Sequence, residues 1–197
     1  MGKIIRRDPR NTDTGCYLAD VEKTILAFIE PQQYFYDASS CSCYELLGYG
    51  VHGTEPLSSI GIIILNFYMV QAMLGMGCRN LDRLYCESFC VSAEEIKNVD
   101  TQTLIAIAGE CALEYQKSGH QVLYSVYRND SGRVLIHFIV NPVNYEGYRH
   151  WCSSLQEMCS REKLFNCILK IYTSKTITSP ITFTNSGMQG YVPISMI

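Results

Sequence analysis

The chain has 197 residues, 47% hydrophobic and 18% charged, with a formal net charge of −3. This is ordinary globular usage, enough to bury a sizeable core. The negative balance argues against a surface that grips a nucleic-acid backbone everywhere, because neutralising phosphates supplies most non-specific affinity. Ten cysteines would fit a disulfide framework in a secreted protein. Met1 to Arg10, however, is charged and lacks the apolar core of a secretory signal, so cytoplasmic, reduced thiols are expected. The spacings Cys41-x-Cys43, Cys86-x3-Cys90 and Cys152-x6-Cys159 do not make a pair of zinc-binding CxxC units.

In chain order, Lys3 to Arg7 reads as an edge strand. Thr24 to Ile29 is a short apolar run of open type, and Gln32 to His52, rich in tyrosine, serine and cysteine, reads as irregular structure. After Glu55-Pro56 an uncharged run extends from Leu57 to Gly77. Its length approaches the roughly 20 residues of a membrane span. Asn66 and Gln71 interrupt it and flanking anchors are sparse, so a buried helix is expected and a membrane association is not.

Leu84 to Phe89 reads as a strand, Val91 to Glu95 as a turn, and Asp100 to Lys117 as an amphipathic helix carrying Leu104, Ile105, Ile107, Ala108, Cys111, Ala112 and Tyr115 inward. Gly119 to Tyr127 and Val134 to Asn141 are rich in β-branched and aromatic residues. Arg128-Asn-Asp-Ser-Gly-Arg133 between them supplies hairpin turn chemistry. Alternation puts Leu135, His137 and Ile139 on one face, with Val134, Ile136, Phe138 and Val140 on the other. A second helix is expected over Tyr148 to Glu162, with Trp151, Leu155 and Met158 inward, followed by a strand over Phe165 to Thr173. From Ser174 to Ile197 the chain is rich in Thr, Ser, Pro and Gly. Ile181 to Thr184 and Tyr191 to Ser195 suggest short strands there, whereas Pro180 and Gly187-Met-Gln-Gly190 favour loops.

The hairpin is the segment that speaks most directly to chemistry. A metal site on paired strands needs ligands two apart on one strand and a third on its neighbour. Here one histidine, His137, stands in such a place. The segment Tyr127-Arg-Asn129, Leu135-Ile-His137-Phe138, Asn141, Val143 and Gly147 resembles the third motif of conjugative relaxases, the nucleases that nick plasmid DNA for mobilisation. That motif is His-x-Asp-x4-His-x-His-Phe-x-x-Asn-x-Val-x-x-x-x-Gly. Cys16-Tyr17 followed by Glu22-Lys23-Thr24 resembles the family's amino-terminal motif, a tyrosine before Asn-Pro-Glu-Lys-Thr. Leu84-Tyr85-Cys86-Glu87-Ser88-Phe89 is similar to its Tyr-His-x-x-Ser-Phe strand. Order and spacing agree, so the resemblance covers roughly Gly15 to Gly147.

The resemblance implies an α+β fold, an antiparallel sheet flanked by helices as in the relaxase palm, over residues 1–173, with 174–197 as a tail. It implies a transesterification in which Tyr17 attacks a phosphodiester at an origin of transfer, leaving a 5′-phosphotyrosine and a free 3′-hydroxyl. A divalent cation, magnesium or manganese, is the implied cofactor, with His137 as its ligand. Single-stranded or origin DNA and other mobilisation proteins are the implied partners, with Lys23, Arg128, Arg133 and Arg149 on the DNA.

The departures carry equal weight. Tyr127 and Leu135 occupy two of the three ligand positions, and Asn129 replaces the aspartate that would orient a ligand. Leucine cannot coordinate a cation, and a neutral phenol is a poor ligand. The hairpin loop is also one residue longer than the family spacing, so a simple register turns His137 away from the usual face unless a bulge restores it. Two readings stay open: a tyrosine nuclease with a weakened metal site, and a fold that persists without nicking as a DNA-binding or accessory protein of a mobile element. The plain alternatives are a packed or hydrogen-bonded His137, solvated arginines, a solvent-facing His120 at a strand edge, and Ser88 and Asn141 holding backbone geometry. No phosphate-cradling glycine loop, Gly-x-Ser-x-Gly elbow or helical His-Glu-x-x-His pair is present, which excludes the usual routes to nucleotide hydrolysis and zinc proteolysis.

Overall fold

The computed structural model describes residues 3–7, 25–26, 44–54, 59–73, 84–147, 154–175 and 191–192. Its centre is the hairpin. Strands β4 (His120–Asn129) and β5 (Val134–Asn144) pair antiparallel, with Tyr127 opposite Leu135 and Ser125 opposite His137. Asn129 closes the turn. Its N–H donates to Arg133 O at 3.0 Å, and its Oδ1 accepts from Ser131 Oγ and Arg133 N, both at 2.8 Å. Gly132 completes the loop at φ 79°, a conformation that glycine adopts without a Cβ clash.

Strand β3 (Tyr85–Val91) pairs with the outer side of β5, and β2 (Tyr44–His52) with the outer side of β4. Two short strands, β1 (Lys3–Arg7) beside β3 and β6 (Tyr191–Val192) beside β2, complete an antiparallel sheet of order β1-β3-β5-β4-β2-β6. Alternation sends Phe89, Val126, Ile136 and Phe138 to one side of this sheet and Cys86, Tyr127, Leu135 and Ile139 to the other, where they join two separate apolar clusters.

Helices cover both sides. On the first lie α2 (Thr101–Lys117) and α3 (Leu155–Lys175). Asp100 caps α2, accepting from Thr103 N and Thr103 Oγ1 at 2.8 Å each. Ser154 and Glu157 cap α3 reciprocally, with Ser154 N donating to Glu157 Oε2 at 2.8 Å and Glu157 N to Ser154 Oγ at 3.2 Å. On the second side lies α1 (Ile60–Met73), uncharged and apolar on both its buried and its exposed faces apart from Asn66 and Gln71. It buries Ile63, Ile64, Phe67 and Gln71, and turns Ile62, Leu65, Met69 and Met73 outward. The α2–β4 turn is tied to the far end of β5: Tyr145 N donates to Gly119 O, and Asn144 Nδ2 to Ser118 O.

The architecture is thus α+β with an antiparallel sheet. The edge strand at Lys3–Arg7 and the helix beginning after Asp100 stand where the sequence puts them. Among the described residues no helix is long and apolar enough to cross a membrane. Three expectations need correction. Tyr44–His52, read as irregular, is a nine-residue strand. Its glycines at 48 and 50 weaken the strand signal, but Gly50 is where the Tyr124 ring needs space, since a Cβ there would collide with it. Phe165 to Thr173, read as a strand, is the second half of α3. Met158, Phe165, Leu169 and Tyr172 recur at helical spacing and face α2 and the sheet, which outweighs the local β-branched content. His120, expected to face solvent at a strand edge, is buried at the start of β4 opposite Asn144. It is 4% exposed, and its Nδ1 donates to Asn141 O at 2.9 Å.

Candidate functional site

His137 lies in the middle of β5 on the α1 side of the sheet, and the strand registers place a polar row across it. Ser88 on β3 and Ser125 on β4 flank His137 directly, and Tyr49 on β2 is next beyond Ser125. All four are buried. Ser88 Oγ is 2.6 Å from His137 Nδ1, so Ser88 orients the ring as well as occupying a strand position. One row nearer the hairpin tip sit Leu135 and Tyr127, opposite one another. The Tyr127 ring meets His137 edge-on, with centroids 5.5 Å apart.

The three positions that match the relaxase ligand motif therefore share one face without a bulge. The extra loop residue is absorbed in the turn at Asp130-Ser-Gly132, leaving the register regular from Val122 to Arg128. That face is nevertheless closed. His137 is 1% exposed, Tyr127 0% and Leu135 7%, with Ile25, Ile63, Ile64 and Phe67 packed in the same cluster. Burial pushes the Tyr127 hydroxyl up to about 12, against the smaller lowering effect of a hydrogen bond with Ser125. Such a phenol stays protonated at neutral pH, and leucine offers no donor atom. The residues present do not fit the three-imidazole cation site that the resemblance implies. Among the described residues no group of three or more His, Cys, Asp or Glu side chains is placed to hold a metal ion.

Of the residues expected at DNA, Arg128 and Arg133 are described. Arg128 is half-buried and falls on the α2 side of β4, opposite to His137, with Glu45 of β2 as its neighbour in register. Arg133 is exposed at the hairpin tip, with Nε donating to Cys90 Sγ at 2.8 Å. Tyr17, Lys23 and Arg149 lie outside the described residues.

Two further clusters escaped the sequence reading. Asn141, fully buried, accepts from Gln71 Nε2 at 3.2 Å and donates to Phe67 O at 3.0 Å and Gln121 Oε1 at 2.8 Å, fastening α1 to the sheet. On the opposite side Glu87, 1% exposed, receives Arg161 Nη2 at 2.5 Å, Arg161 Nε at 3.1 Å and the Tyr115 hydroxyl at 2.6 Å. A cleft of about 510 Å³ opens beside this ion pair, lined by Glu114, His120, Ser154, Glu157 and Arg161 among others. The sequence signal for the second cluster was a charged residue, Glu87, in the middle of a strand that is otherwise uncharged. Its partners lie far along the chain and leave no local pattern. No family model, curated protein or solved structure matches the chain.

Proposed function

We propose that this chain is a relaxase-like protein of a mobile element in which cation-dependent nicking has been lost and the domain serves as a non-catalytic DNA-binding or accessory component of mobilisation. The carrying observation is the trio at the hairpin. Tyr127, Leu135 and His137 converge on one face, where the family's three ligands would stand, but as a buried, packed cluster whose histidine is held by Ser88. A site of this descent that keeps the ligand directions and replaces the ligands by core side chains favours a retained scaffold over a working centre. Arg128 and Arg133 flank the hairpin turn and are the described residues through which a backbone phosphate would be met, on a chain that is negative as a whole.

The test compares the full chain with Tyr17→Phe and with the double variant Tyr127→His, Leu135→His. Supercoiled origin DNA with magnesium or manganese should remain uncut by the wild-type protein, whereas single-stranded DNA should bind with an affinity that falls as salt rises. Arg128→Glu with Arg133→Glu should weaken that binding several-fold. The double histidine variant should gain manganese affinity that the wild type lacks. Cation-dependent nicking by the wild type that disappears in Tyr17→Phe would overturn the reading in favour of an active nuclease.

A further inference from the structure

In β3, Tyr-Cys-Glu-Ser-Phe-Cys-Val, the two strongly polar side chains are adjacent and both are buried. Because consecutive side chains of a strand point to opposite faces, Glu87 enters the helical layer of α2 and α3 while Ser88 enters the layer of α1. Each is tied there. Glu87 is gripped at three points by Tyr115 and both nitrogens of the Arg161 fork, with the Arg161 guanidinium 5.5 Å from the centre of the Tyr115 ring. Ser88 meets His137 Nδ1 at 2.6 Å.

A buried ion pair of this kind is a weak source of net stability, since desolvation offsets most of the attraction and apolar replacements of similar volume are often equal or better. What it does supply is direction. A bidentate guanidinium with a third hydrogen bond fixes the carboxylate, and so the rotation of the strand about its own axis at Glu87. The next residue inherits that rotation on the other face. The Ser88–His137 bond is short, and hydrogen bonds of this type weaken within a few tenths of an ångström or tens of degrees.

We propose that Arg161 and Tyr115, acting through Glu87, are positioning residues for His137 on the far side of the sheet. The chain of contact runs from α3 and α2 to Glu87, through one peptide unit to Ser88, and from Ser88 to the imidazole. Whichever of Ser88 and His137 donates in their bond, the contact selects one arrangement of protons on the ring. The inference goes beyond the proposed function, because it concerns how the ring is held whether or not DNA is bound. The competing account is that the backbone ladder from β3 to β1 and β5 alone fixes Ser88.

Nitrogen-15 NMR of the His137 ring in the full chain separates the two accounts. The wild type should show two well-separated ring-nitrogen resonances of a single tautomer, and Ser88→Ala should show them drawn toward a common averaged position. Glu87→Met combined with Arg161→Met should unfold at the wild-type urea concentration or above it, yet move the His137 resonances in the direction of Ser88→Ala. Tyr115→Phe should move them the same way by less, and Arg161→Lys should recover part of the wild-type separation relative to Arg161→Met. Wild-type His137 resonances in a folded methionine pair would overturn the proposal. Should that pair not fold, Tyr115→Phe decides: a displaced resonance supports the proposal, an undisplaced one overturns it.

Discussion

The two sides of the sheet solve the same packing problem differently. Beneath α2 and α3 the contact is a broad apolar layer with aromatic rings at its centre, where Phe138 and Phe165 lie 5.4 Å apart and Tyr115 and Phe138 the same distance, and its polar groups are gathered in the one ion-pair cluster of Glu87, Arg161 and Tyr115. Beneath α1 the apolar layer is crossed by the row of Ser88, His137, Ser125 and Tyr49, and the helix is fastened by the amide of Asn141. The first side relies mainly on area removed from water, with its directional bonds concentrated at Glu87, and the second on fewer apolar contacts with directional bonds spread across the layer. The difference teaches where change is tolerated. An apolar layer loses stability in proportion to the volume removed, whereas a polar cluster fails when one partner is left unsatisfied.

The largest effect should come from the aromatic side. Phe138→Ala removes a fully buried ring from the middle of the cluster and should cost about 3–5 kcal/mol in urea unfolding. A loss below that of Asn141→Ala would reverse the ranking of the two sides. Asn141→Ala removes the side-chain partner of Gln71 Nε2, Gln121 Oε1 and Val143 N, and should cost about 2–3 kcal/mol, with amide exchange rising in α1 before α2. Uniform exchange across both helices would show that α1 is not separately held. Asp100→Ala removes the cap of α2 for about 1 kcal/mol, with Asp100→Asn nearly neutral because it caps as well.

The smallest effect concerns pH. His52 stacks on Tyr124, 5.6 Å between centroids, and its Nε2 donates to Gly109 O at 3.2 Å. Burial holds this imidazole below its ordinary value, against the opposing effect of that bond. The unfolded chain therefore takes up the proton first. Stability from the neutral ring is fully present above the unfolded value, near pH 6.5, and is lost as pH falls toward the lower folded one. Unfolding free energies measured across that interval should fall less steeply with acid in His52→Phe than in the wild type. Parallel slopes would remove His52 from the account.

The hairpin was legible because three signals agreed: β-branched runs, turn residues and a period of two that sorts Leu135, His137 and Ile139 from Val134, Ile136 and Phe138. The amphipathic α2 was legible for the same reason, with its cap in place. Strand β2 was not, since its glycines answer to the Tyr124 ring on a neighbouring strand and not to any local rule. Nor was the length of α3, where Phe165, Ile168 and Leu169 fit a strand by composition and a helix by spacing. The face of His137 was readable, but its closure was not. Whether a histidine on a strand meets solvent or a packed layer depends on α1, brought to it from far away in the chain.

Helix α2 and strands β4 and β5 follow one another without interruption, and Asn144 seals the end of the last against the turn between the first two. The pairings of β1 with β3 and of β2 with β4 instead join segments separated by long stretches of chain. Closing a short loop costs less entropy than closing a long one, so the middle of the polypeptide should organise first and act as the template on which the remaining strands register. The order of assembly is then outward from the hairpin, and a slow step in refolding should report the arrival of the amino-terminal strands.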